Sequence, residues 1–114
     1  MNENIVENLK MLLSRFFKDE WYREGIENLR SAIKIDPYYH SIWEPIIKMV
    51  ILKQIPNGEA LEMIFENANQ CLHENSEDEA YKWLLLMIIN VSRGNDEPIL
   101  DDQKFLTRNT DTIS

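Results

Sequence analysis

Ser76-Glu77-Asp78-Glu79-Ala80-Tyr81-Lys82-Trp83-Leu84-Leu85-Leu86-Met87-Ile88-Ile89-Asn90-Val91 is the stretch whose reading decides the fold. Its first four residues have capping-box spacing, with acids at the positive end of the helix dipole. Apolar residues then fall on nearly every face. A helix of that kind is buried on nearly every side. Residues 77–92 are therefore expected to form a helix deep in a helical core, with Gly94 as its stop.

The flanking sequence repeats the helical signal. In 3–17, Ile5, Leu9, Leu12, Leu13, Phe16 and Phe17 recur at three- and four-residue steps, which stacks them on one face. Asp19 is positioned to cap the next helix, over 20–35, which ends at Asp36-Pro37 because the residue before proline leaves the helical region. A third helix is expected over 42–54, opened by Ser41 through Glu44 and central in the bundle, although Pro45 fits that box poorly. A fourth is expected over 58–70, with Asn57 as N-cap. Leu61, Ile64, Phe65, Ala68 and Leu72 line one of its sides, and Glu59, Glu62 and Glu66 another. A short helix near 98–106 and a loose end complete the expectation. The fold class is all-α: one domain of about five to six helices, with 1–94 as its body and 95–114 as a tail.

Composition agrees. The 114 residues include only 3 glycines and 4 prolines, too few for the turns of a β-sandwich or barrel. The single cysteine, Cys71, permits no internal disulfide and points to a reducing cytoplasm. Residues 1–10 hold Glu3 and Glu7 where a signal peptide would be basic and then apolar. The longest apolar run, Trp83–Ile89, is seven residues, against roughly 20 for a membrane span. A cytoplasmic protein without a membrane segment is expected.

The net charge of −8 is unevenly placed. Residues 1–53 balance eight acids against eight bases, whereas 54–114 carry twelve acids and four bases. Between Glu59 and Glu79 there are seven acids and no Lys or Arg. Such a field repels nucleic acid and acidic membranes and attracts basic partners.

Enzyme chemistry finds no foothold. There is no glycine-rich phosphate loop, nucleophile elbow or His-Glu-x-x-His pattern. His40 and His73 stand alone, and Cys71 with His73 falls short of the four ligands of structural zinc. No catalytic residue, metal or cofactor is expected. Trp21, Tyr22, Tyr38, Tyr39 and Trp43 could line a ligand pocket but read better as packing between the first three helices, with some at the core edge.

Two resemblances bear on function. Residues 6–39 look like one tetratricopeptide repeat, with Leu9, Leu12, Phe16, Gly25, Leu29, Ala32 and Pro37 at its large, large, aromatic, small, large, small and proline positions. The next repeat departs, placing Glu59 and Glu66 where small residues belong. That resemblance implies a helical adaptor holding a peptide in a groove lined by Tyr38, Tyr39 and Trp43.

The second covers residues 9–91. It rests on Phe16-Phe17-Lys18-Asp19-Glu20-Trp21, Pro56-Asn57-Gly58-Glu59-Ala60, Ala68-Asn69 and Glu74-Asn75-Ser76-Glu77-Asp78-Glu79-Ala80-Tyr81-Lys82-Trp83-Leu84. This pattern resembles the small helical immunity proteins of bacterial contact-dependent growth inhibition systems. The spacer Lys18-Asp19-Glu20 is longer than that family's, and the tail after 94 has no counterpart. The resemblance implies an antitoxin that binds one to one, and neutralises, the toxic C-terminal domain of a cognate effector, often a nuclease.

Nuclease toxins are basic where they hold phosphates, and an acidic face speeds association with such a surface. The candidate toxin-binding residues are Glu59, Glu62, Glu66, Glu74, Asp78 and Glu79. Helix capping accounts equally well for Glu59, Asp78 and Glu79, as for Glu77. A solvated acidic face remains an alternative for all of them.

Overall fold

Asp36 and Pro37 do two jobs at one point in the chain. In a computed structural model describing residues 2–94 and 97–100, Asp36 is the C-cap of one helix and the N-cap of the next. Its carboxylate accepts the Tyr38 N–H at 2.9 Å, and Pro37 takes the first helical position, where its missing N–H costs nothing. Five helices are present among the described residues: α1 (Asn2–Phe16), α2 (Tyr22–Ile35), α3 (Pro37–Ile51), α4 (Glu59–Glu66) and α5 (Glu77–Ser92). The fold is all-α, as expected.

The third helix thus begins at Pro37, not at 42. The expected box at Ser41 is not an N-cap: the Ser41 hydroxyl donates to the Tyr38 carbonyl at 2.7 Å, within the helix. Pro45 lies inside α3, where it removes the bond that its N–H would make to the Ser41 carbonyl. This helix is also less central than its composition implies, because Ile51 and Leu52 at its end are more than half exposed.

A left-handed residue follows the end of each of α3 and α4. Gln54 N–H donates to Met49 O around Lys53 at φ 53°, and Gln70 N–H donates to Ile64 O around Asn69 at φ 54°. The first is a Schellman-type closure; the second lies beyond α4, which ends at Glu66 with Asn67 as its C-cap, short of the expected 70. α5 ends differently. Arg93 turns extended, and Gly94 is not left-handed, so the expected glycine stop is not used.

α1 and α5 each pack against α2, α3 and α4. Between them lies an apolar core containing Leu9, Leu13, Leu29, Ile46, Met63, Ile64 and Leu84, all fully buried. The fully buried Phe17 and Trp83 meet within it and the half-buried Tyr22 packs against both, with ring centroids 5.5 to 5.9 Å apart, a geometry that adds to the gain from area alone. Gly25 lets α2 approach this cluster. A Cβ there would stand 2.5 Å from the Phe17 ring and 2.7 Å from the Phe16 carbonyl.

Polar contacts tie the end of α5 to residues 97–100. The Asn90 side chain, fully buried, accepts the Leu100 N–H at 2.7 Å and donates to the Leu100 carbonyl and the Tyr22 hydroxyl, both at 2.9 Å. Residues 98–100 are not helical. The remainder of the short helix expected over 98–106 lies outside the described residues.

Candidate acidic binding face

α4 runs beside the second half of α1, in the same direction. Lys10 Nζ lies 3.1 Å from Glu59, Asn67 donates to the Ser14 hydroxyl at 3.0 Å, and Asn69 donates to the Lys18 carbonyl at 3.4 Å. The hydrogen bond from Lys10 to Glu59 holds the ammonium above its ordinary pKa, against the opposing effect of burial, with smaller contributions from the Glu59, Glu7 and Glu62 charges. Glu59 is therefore engaged within the fold.

Gly58, not Asn57, is the N-cap of α4, with φ at 91°. That backbone is natural only to glycine, and a glycine has no side chain to cap with. The cap comes from α5. One Glu77 oxygen accepts the N–H groups of Gly58 at 3.0 Å and Ala60 at 3.2 Å, and the other accepts that of Leu61 at 3.1 Å. A carboxylate here satisfies orphan donors and meets the positive end of the α4 dipole. It also draws the first turns of α4 and α5 together.

The six sequence-derived candidates consequently differ in availability. Glu62 and Glu66 are exposed on α4, Glu74 is exposed in the 67–76 connection, and Asp78 is exposed in the first turn of α5. None of these four forms an ion pair among the described residues. Glu59 is half-buried against Lys10. Glu79 is only 6% exposed, and its N–H donates to the Ser76 hydroxyl at 3.2 Å. The Glu77 contact brings Glu59, Glu62 and Asp78 to one end of the α4–α5 pair, whereas Glu66 sits at the far end of α4.

The aromatic group does not act as a unit. Tyr39 and Trp43 are buried, as packing requires, and Tyr39 takes a hydrogen bond from Arg15 and an edge contact from Phe16. Trp21 is 82% exposed and Tyr38 52% exposed, so these two do not pack between the helices as expected. Trp21 is the N-cap of α2 and extended, so it precedes the stripe that Tyr22 begins. Asp19 makes no cap bond to α2, whose N-terminus has no side-chain cap.

Among the described residues, no group of three or more His, Cys, Asp or Glu side chains could hold a metal ion. No described helix is long and apolar enough to cross a membrane. No family model, curated protein or solved structure matches the chain.

Proposed function

We propose that this chain is an immunity protein of a bacterial contact-dependent growth inhibition system. In this reading it acts in the cytoplasm, without turnover, by binding one to one the toxic C-terminal domain of a cognate effector, a nuclease. The observation that carries the reading is the set of exposed acids Glu62, Glu66, Glu74 and Asp78, none paired with a base among the described residues. Unpaired exposed carboxylates are free to meet a basic surface and to steer its approach. The resemblance of residues 9–91 to immunity proteins supports the same reading. The peptide-groove alternative has less support, since Tyr39 and Trp43 are buried.

The reading requires a basic toxin-like domain encoded immediately upstream, and the test is co-expression with it. Protection of the host is expected, along with a complex whose affinity falls as ionic strength rises. The double reversal Glu62→Lys with Glu66→Lys is expected to slow association while leaving the unfolding midpoint unchanged. Absence of protection, or binding indifferent to both salt and charge reversal, sinks the proposal.

A further inference from the structure

Arg30 is out of keeping with an acidic protein. It is only 6% exposed, yet its guanidinium has no carboxylate partner among the described residues. Nε donates to the Asn90 carbonyl at 2.8 Å and one terminal nitrogen to the Glu97 carbonyl at 3.3 Å. Both acceptors are neutral. Asn90 lies in the last turn of α5, so its carbonyl has no partner further along the helix. The partial negative charge of that helix end offsets part of the Arg30 charge. The second terminal nitrogen, Nη2, is buried and has no hydrogen-bond partner among the described residues. Buried donors are rarely left unmet, and a buried cation least of all.

Arg30 lines a cleft of about 540 Å³ where the C-terminal ends of α2 and α5 meet the first turn of α3. Lys34, His40 and Arg93 line the same cleft, as does Gly94, which brings backbone to its edge. The acid beside it, Glu97, is engaged with Arg93 at 3.2 Å. In a chain of net charge −8, three cations and a histidine share one cavity. Lys34 and Arg93 sit at helix C-termini, where a cation is favoured in any protein. That accounts for their positions but not for the unmet donors of Arg30.

We infer that this cleft is an oxyanion site for the phosphate group of a small phosphorylated molecule. Arg30 offers the unmet donors of Nη2, a charge-assisted partner for a phosphate oxygen, and Lys34 and Arg93 supply charge around it. The site is built from α2, α3 and α5 and shares no residue with the acidic face, so it stands or falls separately from the proposed function.

The experiment titrates the full-length protein with inorganic phosphate, against sodium chloride at matched ionic strength. It follows thermal unfolding and the NMR signals of the Gly94 amide and the arginine Nε–H groups. A saturable rise in Tm is expected, with shifts centred on Arg30, Arg93 and Gly94. The double variant Lys34→Gln with Arg93→Gln leaves the Arg30 bond to Asn90 in place, and it is expected to weaken phosphate binding by about tenfold or more. A Tm that climbs without saturating, as general exclusion of phosphate from protein surfaces would produce, together with no localised shifts, overturns the inference. So does saturable binding that the double variant leaves unchanged.

Discussion

The Glu77 carboxylate reaches across 19 positions of sequence to hold the N–H of Gly58, so α5 supplies the cap that α4 lacks. Two more N–H groups of α4, those of Ala60 and Leu61, share it. Replacing Glu77 with alanine strands three donors at once. Caps are worth about 0.5–2 kcal/mol each, so Glu77→Ala is expected to lower stability by about 2 kcal/mol in urea unfolding. Glu77→Gln should cost less, since an amide oxygen still accepts. Asp78→Ala, at an exposed neighbour, should cost little. Equal losses for Glu77→Ala and Asp78→Ala would contradict the role given to Glu77.

Gly25 offers a second test. In an open helix, glycine to alanine gains about 1 kcal/mol. Here the added carbon meets the Phe17 ring and the Phe16 carbonyl at 2.5–2.7 Å. Backbone cannot yield as a flexible side chain can, so Gly25→Ala is expected to destabilise by about 1–3 kcal/mol. Differential scanning calorimetry would read this as a lower Tm. A raised Tm would show that α2 does not approach α1 this closely.

Tyr81 couples packing to alkaline pH. Its hydroxyl accepts the Ile55 N–H at 3.1 Å and donates to the Ile55 carbonyl at 3.3 Å. Burial raises its pKa above the ordinary 10.0. The unfolded chain therefore loses this proton first. The stability contributed by the neutral phenol is complete below about pH 10 and declines as pH rises through the folded value. Lys10, raised above 10.5, acts in the same direction at higher pH. Tyr81→Phe is expected to cost about 1–3 kcal/mol at neutral pH by leaving both Ile55 groups unmet. It should also flatten the decline just above pH 10, as followed by chemical denaturation across roughly pH 8–11.

Asn90 is the hinge-pin of the segment after α5. Asn90→Ala removes an acceptor and a donor used by Leu100, and a donor used by Tyr22. The expected loss is about 1–3 kcal/mol. It should be accompanied by faster hydrogen exchange at the Leu100 amide than at amides inside α1. Unchanged exchange at Leu100 would mean that its bonds to Asn90 contribute nothing.

What the sequence reveals depends on the range of the interactions concerned. The apolar steps in 3–17 and the run in 77–91 locate α1 and α5, because a helix side chain meets its neighbours three and four residues away. The start of α3 escapes the same reading. Asp36-Pro37 both stops α2 and starts α3, and a proline signal taken once hides its second use. The acids between 59 and 79 are visible as a charge imbalance, but their division into bound and free is not. Glu59 is claimed by Lys10, 49 positions earlier, and Glu77 by Gly58. Trp21 eludes the sequence for a related reason. It stands one residue before the buried stripe, and aromatic composition alone cannot separate it from Tyr22.

The borrowed cap also constrains the order of assembly. A chain emerging from a ribosome exposes α4 well before Glu77 exists outside the exit tunnel. Eight residues are too few to hold a helix alone in water, and this one begins at a glycine with no side chain to seal it. α1, α2 and α3 can pair with one another first, since each packs against the other two. The groove that α4 will occupy on α1 then stays open until the first turn of α5 arrives to close it. While only residues before 77 stand outside the tunnel, the side of α1 around Lys10 and Ser14 would thus lack its final cover.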